Sequence, residues 1–144
     1  LSDIAARSAG ADMEALATDV AALADHIRTH IETVGLDRAL SDFSAPPWTR
    51  EANGLHLWGV TMSGMSWFDA GHPGLVGLDV SGMTDLTGVF WSDSAVRSAT
   101  GDGAVMFGLL YPHPRSERAA RGLHTCFLLD DGQLVLCAGA FEDH

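Results

Sequence analysis

Between Asp12 and Val34 the apolar residues Met13, Leu16, Val20, Leu23, Ile27, Ile31 and Val34 return at steps of three and four. That is one stripe of an amphipathic helix about six turns long, and such a helix must bury its stripe against another layer. Gly35 stands where a C-terminal cap belongs, and Gly10 ends or kinks the segment before it. A second, shorter helix is expected over Asp37 to Phe43, with Leu36, Leu40 and Phe43 on its apolar side, and Pro46 and Pro47 stop helix outright. From Leu55 the period changes to two. Leu55 to Met62 and Met65 to Asp69 read as two strands joined at Ser63-Gly64, with Trp58 opposite Asp69 and with His56, Trp58, Val60, Met62, Met65, Trp67 and Asp69 on one face.

The segment from His72 to Phe90, rich in Gly, Asp and Thr, reads as a long irregular loop. Ser92 is placed to N-cap a helix through Ala99. Ala104 to Tyr111 reads as a third strand, ended by Pro112 and Pro114. Leu123 to Leu129 and Gln133 to Phe141 read as a closing hairpin. Helices first and antiparallel strands later imply an α+β domain. We expect one domain over 1–144, with the N-terminal helices in 1–43 and the sheet and its loops in 54–144. The 47% of hydrophobic residues is enough for one core.

In the last hairpin Asp131-Gly132 is a type I′ turn signal. With those two residues in the turn, Asp130 pairs with Gln133 and Cys126 faces Cys137. A disulfide there would imply an oxidising compartment, whereas two buried thiols would not. This register makes the cysteines a hydrogen-bonded pair, whose Cα atoms are the farther apart of the two pair types. Both readings stand.

A net charge of -11, with 19 acidic residues against 8 arginines, excludes a nucleic-acid binder, which needs a basic stripe to neutralise phosphates. It also argues against anionic membrane surfaces. No apolar run approaches the roughly 20 residues of a membrane span. The chain starts at Leu1 rather than Met, as a cleaved export signal or a trimmed chain would leave it.

Five short motifs then fall in order. LHLWGVTMSG (55–64) stands where a known family reads roughly LYVFVxDxxG, and DAGHPGLVG (69–77) where it reads HxxNPxLVG. Asp85 and Gly88 fall on its DxxG, YPHP (111–114) on its WPNP, and AGAF (138–141) on its closing SGVY. On these motifs the chain resembles the second type of single-Cache domain, a sensor module found outside the membrane in chemoreceptors, in sensor kinases and as small exported proteins. The resemblance implies a PAS-like Cache fold, with the long N-terminal helix across a curved antiparallel sheet of about five to six strands. A small-ligand pocket is implied between the sheet and the central loops.

Carried over position by position, the implied ligand-binding residues are His56, Trp58, Asp69, Tyr111, His124 and Phe127. Strand alternation sets His124 and Phe127 on opposite faces, so one of them lines the pocket while the other does not. Asp69 stands where the family has His. Because like charges disfavour binding, the expected ligand is less acidic than the family's usual small carboxylates: cationic, zwitterionic or more apolar. The implied partner is thus a small molecule, whether a carboxylate, an amino acid or an amine, and no cofactor is implied. A periplasmic or otherwise extracellular location is expected. So is either tethering to a membrane receptor, with a homodimer through the N-terminal helix, or a whole exported protein; the closing motif near the C-terminus favours the second.

Rival readings rest on the seven histidines. His26 and His30 lie four apart on the first helix, and His56, Asp69, His72, His113 and His124 have metal-ligand chemistry without diagnostic spacing. A histidine-based metal-binding or metal-trafficking protein is the alternative, though no residue is assigned as a metal ligand. No GxSxG, HExxH or phosphate-binding loop occurs, so catalysis is not expected, and a small exported hydrolase or isomerase is the third reading.

Overall fold

The computed structural model describes residues 13–45, 48, 55–101, 106–112, 118–129 and 132–141. The apolar stripe forms helix α1 (Met13–Val34), followed after Gly35 by α2 (Leu36–Phe43). Gly35 has a φ of +85°, a conformation that costs a side-chain-bearing residue and lets the chain reverse between the helices. His30 Nε2 lies 2.7 Å from Asp42 Oδ2 and its ring packs on Phe43 and Trp48, which ties α1 to α2. His30 is therefore committed to Asp42 rather than to a site shared with His26.

Five strands follow: β1 (His56–Thr61), β2 (Ser66–Asp69), β3 (Met106–Pro112), β4 (Ala119–Leu128) and β5 (Leu134–Phe141). Their order is β2-β1-β5-β4-β3, and every pair is antiparallel. Alternation along each strand feeds two cores. On one face Leu57, Phe127, Leu136, Ala138 and Ala140 pack with Leu16, Val20, Leu23 and Ile27 of α1 and with Phe43 of α2. On the other face Trp58, Val60, Leu109, Cys126, Val135 and Cys137 pack with Val80 and with Trp91 and Ala95 of helix α3 (Trp91–Thr100). This is the expected α+β arrangement. The third strand continues through Pro112, which the expectation had as its stop. Pro112 lies at the end of the edge strand β3, where a missing amide is tolerated.

Three local expectations are corrected. In the first hairpin Trp58 faces Asp69 and Gly59 faces Phe68, as expected, but a bulge then pairs Val60 with Ser66. The extra residue turns Trp67 to the helix side, beside Phe68 in the α1 core, instead of leaving it on the face of Trp58. Its Nε1–H donates to Val135 O at 2.9 Å, and its ring occupies the space over Gly59, where a Cβ would lie 2.6 Å from Nε1.

In the last hairpin Cys126 pairs with Cys137, and the two form a disulfide. They are not a hydrogen-bonded pair. Leu129 N–H donates to Leu134 O, which makes Leu129 and Leu134 a hydrogen-bonded pair, one position out of step with the expected alternation. That shifted alternation leaves the cysteines as the closer pair type, with Cα atoms 4.1 Å apart. Cys126 N–H donates instead to Ser98 Oγ of α3, at 3.1 Å. The expected pairing of Asp130 with Gln133 involves a residue outside those described. Finally, Phe90 rather than Ser92 occupies the N-cap of α3, with no side-chain bond, and Ser92 is buried in the first turn.

The central segment is held by one carboxylate. Asp85 Oδ1 accepts Thr87 N–H, Thr87 Oγ1–H and Val89 N–H at 2.7 to 2.9 Å, and Oδ2 accepts Leu110 N–H of β3 at 2.9 Å. Gly88, at a φ of +89°, lets the chain fold around it. The DxxG motif is thus a staple between loop and sheet.

Candidate functional site

On the α3 face of the sheet, all five strands, the central loop and α3 enclose a hollow of about 80 Å³. It is lined from β1 by His56 and Trp58, from β2 by Asp69, from β3 by Leu109, Tyr111 and Pro112, and from β4 and β5 by His124 and Phe141. His72 and Leu75 of the loop and Trp91 of α3 complete it. Five of the six residues implied by the resemblance therefore meet around one hollow. Phe127 does not. Three residues after His124 on β4, it points to the opposite face, under Arg28 of α1, whose guanidinium lies 4.5 Å from the ring centroid.

His124 is the most constrained of these groups. Its side chain is 2% exposed and sits over two residues that have none: a Cβ on Gly139 would overlap the ring, and one on Gly122 would lie 3.0 Å from Nε2. Phe107 stacks on it, with centroids 5.6 Å apart, and Trp58, His56 and Phe141 meet it edge to face. Trp58 Nε1–H donates to His124 Nδ1 at 3.2 Å. An indole can only donate, so Nδ1 carries no proton and the neutral ring holds its hydrogen on Nε2. Burial, with a smaller contribution from His56, pushes the His124 pKa down to about 3.

Asp69 is 8% exposed and closes the other wall. Its Oδ1 accepts the backbone amides of Gly71 and His72 at 3.0 and 2.8 Å, with His56 Nε2 and His72 Nδ1 at 3.5 and 3.8 Å. Burial alone would raise its pKa, but His56, His72 and the His72 amide outweigh that and hold the carboxyl well below the usual range. Asp69 in turn raises the pKa of His72. The anion expected to repel an acidic ligand is thus already met by two imidazoles and two amides.

Among the described residues four buried nitrogens in this wall lack a well-formed hydrogen bond: both ring nitrogens of His56, Trp91 Nε1 and His124 Nε2, although His56 Nε2 stands 3.5 Å from the Asp69 carboxylate. Buried polar groups are nearly always satisfied, and leaving one unpaired costs about 1–3 kcal/mol. All four belong to residues that line one hollow.

Sequence reasoning missed Trp91 as a wall residue, although Trp91, Ala95 and Ser98 recur at helical spacing and are all buried toward the sheet. His72 entered only in a loose set of histidines. The motif position of Asp69 already placed it three residues away. His113 lies outside the described residues.

No protein-family model matches the sequence, and no curated protein does. Solved structures do match in fold. The methyl-accepting chemotaxis protein from Vibrio parahaemolyticus RIMD 2210633 superposes with a TM-score of 0.76 at 17% identity, over 90% of each chain. A Cache chemosensory domain whose structure explains its recognition of carboxylic acids gives 0.62 at 16% identity, over 91% of this chain and 90% of that one. The periplasmic sensor domain of a chemotaxis protein gives 0.63 at 20% identity, over 90% of this chain and 92% of that one. The fold is therefore that of the Cache-type sensor domains of chemotaxis receptors.

Proposed function

We propose that this chain is an extracytoplasmic sensor domain that binds a small polar metabolite in the hollow between sheet, loop and α3, and performs no chemistry on it. The observation that carries the reading is the set of four buried nitrogens around that hollow that lack a well-formed hydrogen bond among the described residues. The fold shared with chemoreceptor sensor domains supports it, and the Cys126–Cys137 disulfide suits an oxidising compartment.

The donors define the guest. Trp91 Nε1–H and His124 Nε2–H are neutral, fixed donors, so they favour a molecule with oxygen acceptors on one end. Leu75, Leu109 and Phe141 supply apolar walls. With the charge of Asp69 already compensated, a small carboxylate or amino acid fits better than a bare amine. Binding that orders the central loop against α3 would bias a receptor toward one of two states.

The test is a thermal-shift screen of purified protein against small acids, amino acids, amines and ureas. A ligand at a hundredfold over its Kd adds about 2.7 kcal/mol, several degrees for a domain of this size. The reading expects a hit that Trp91→Phe weakens, since that change removes the indole donor while keeping a ring. A panel without hits, or a hit indifferent to Trp91→Phe, contradicts it.

A further inference from the structure

His56, Asp69 and His72 bring three donor atoms within 4.8 Å of one another at the edge of the hollow. We infer that these three side chains bind one divalent first-row transition-metal ion of the zinc class, leaving a coordination position open toward the hollow.

The ligand types are the ones such ions take, two imidazoles and one carboxylate, and three protein ligands with an open place is the usual form of a site that exchanges a small molecule. The spacing fits. Bonds of about 2.0–2.1 Å in a tetrahedral shell put ligand atoms about 3.3 Å apart, and the carboxylate oxygen lies 3.5 Å from His56 Nε2 and 3.8 Å from His72 Nδ1. Small side-chain adjustments close the difference.

Several features prepare the cluster for an ion. The amides of Gly71 and His72 fix the carboxylate, as outer contacts commonly do for a metal-ligating carboxylate. Neither ring nitrogen of His56 makes a well-formed hydrogen bond among the described residues, and Nε2 already faces the carboxylate with which it would share the ion. Asp69 anchors at the end of β2 and His72 three residues on, so the loop turn itself brings the second imidazole over the carboxylate. A net charge of -11 raises the local concentration of cations. His124 is excluded as a ligand through Nδ1, which accepts the Trp58 indole, and its Nε2 keeps the proton. It remains a donor to whatever enters the hollow.

The ion stands on these residues alone. Only the identity of the guest at its open position rests on the sensing proposal, which supplies a ligand oxygen there.

The test is a Co(II) titration of the chelator-treated, dialysed protein, followed by visible absorption, with Zn(II) competition. One equivalent is expected to bind with ligand-field bands, and Zn(II) is expected to displace it. His72→Ala changes a side chain that is 54% exposed, so the fold should persist, as the Tm of the metal-free variant would confirm. Affinity should fall on the order of 100-fold in His72→Ala and in Asp69→Asn, and stay unchanged in His26→Ala. Absence of Co(II) binding, binding equal in His72→Ala and wild type, or binding lost in His26→Ala overturns the metal site. Repeating the metabolite screen with chelator separates the two proposals, because a hit that survives chelation keeps the sensing reading even when the metal site fails.

Discussion

His124 sets how this fold responds to acid. It is buried neutral, with its pKa pushed to about 3, whereas in the unfolded chain an imidazole titrates near about 6.5. Between those values the unfolded chain binds a proton that the folded chain refuses, so stability falls as pH falls. Its contribution is fully present above about pH 6.5 and is lost progressively toward pH 3. The limiting slope is about 1.4 kcal/mol per pH unit. From pH 6.5 to pH 5 that amounts to about 2 kcal/mol, or roughly 6 °C in Tm for a domain of this length. His72 acts with the opposite sign. Its pKa is raised by Asp69, so its contribution is present at low pH and is lost as pH rises; being half exposed, it offsets little. Asp69, depressed below the ordinary carboxyl range, begins to cost stability only under about pH 4. Among the described groups, His124 therefore makes the largest contribution to the pH dependence between pH 6.5 and 4.5. Circular-dichroism melts across that window should show a steep acid loss in wild type and a flattened one in His124→Gln, whatever the absolute Tm of the variant. Parallel slopes in the two proteins would refute the buried neutral imidazole.

Other consequences can be checked on the same protein. Gly59→Ala places a Cβ against Val135 O and the Trp67 indole, and should cost about 1–3 kcal/mol in urea unfolding, in contrast to a silent change on an open strand. Replacing Cys126 and Cys137 by Ser, a pair closing 11 residues, should cost about 3 kcal/mol, and dithiothreitol should lower wild-type stability but not that of the double variant. Asp85→Ala removes four acceptor contacts, three within the central loop and one to β3. It should cost about 3 kcal/mol and expose amides 87, 89 and 110 to faster hydrogen exchange.

Much of this organisation was legible in the residues because two periods dominate. The 3.6 stripe of α1 and the alternation of β1 and β5 leave little choice of face, and Trp58 opposite Asp69 follows from the turn. What was not legible depends on single insertions and on contacts distant in sequence. One bulge residue moved Trp67 across the sheet, and a one-step shift in the hydrogen-bond alternation changed the pairing type of the cysteines without changing the partners. Periodicity reports faces and is blind to both. Asp69 had the look of an uncompensated anion because its compensation comes from His56, thirteen positions earlier, and from amides that turn back on it. Trp91 joined the wall through helix packing, which no strand register shows. The motif order placed the other wall residues, since it marks strand ends and loops that the fold brings together.

The central claim is that the buried nitrogens lining the hollow receive a polar guest, and the indole N–H resonances test it most directly. Of the four tryptophans, Trp58 donates to His124 and Trp67 to Val135, while the Trp91 N–H has no partner among the described residues. In a ¹⁵N–¹H titration with a hit from the thermal screen, the Trp91 indole signal should move far downfield as it gains an acceptor, and that of Trp67 should stay in place. A Trp91 signal that does not move at saturation would contradict the account.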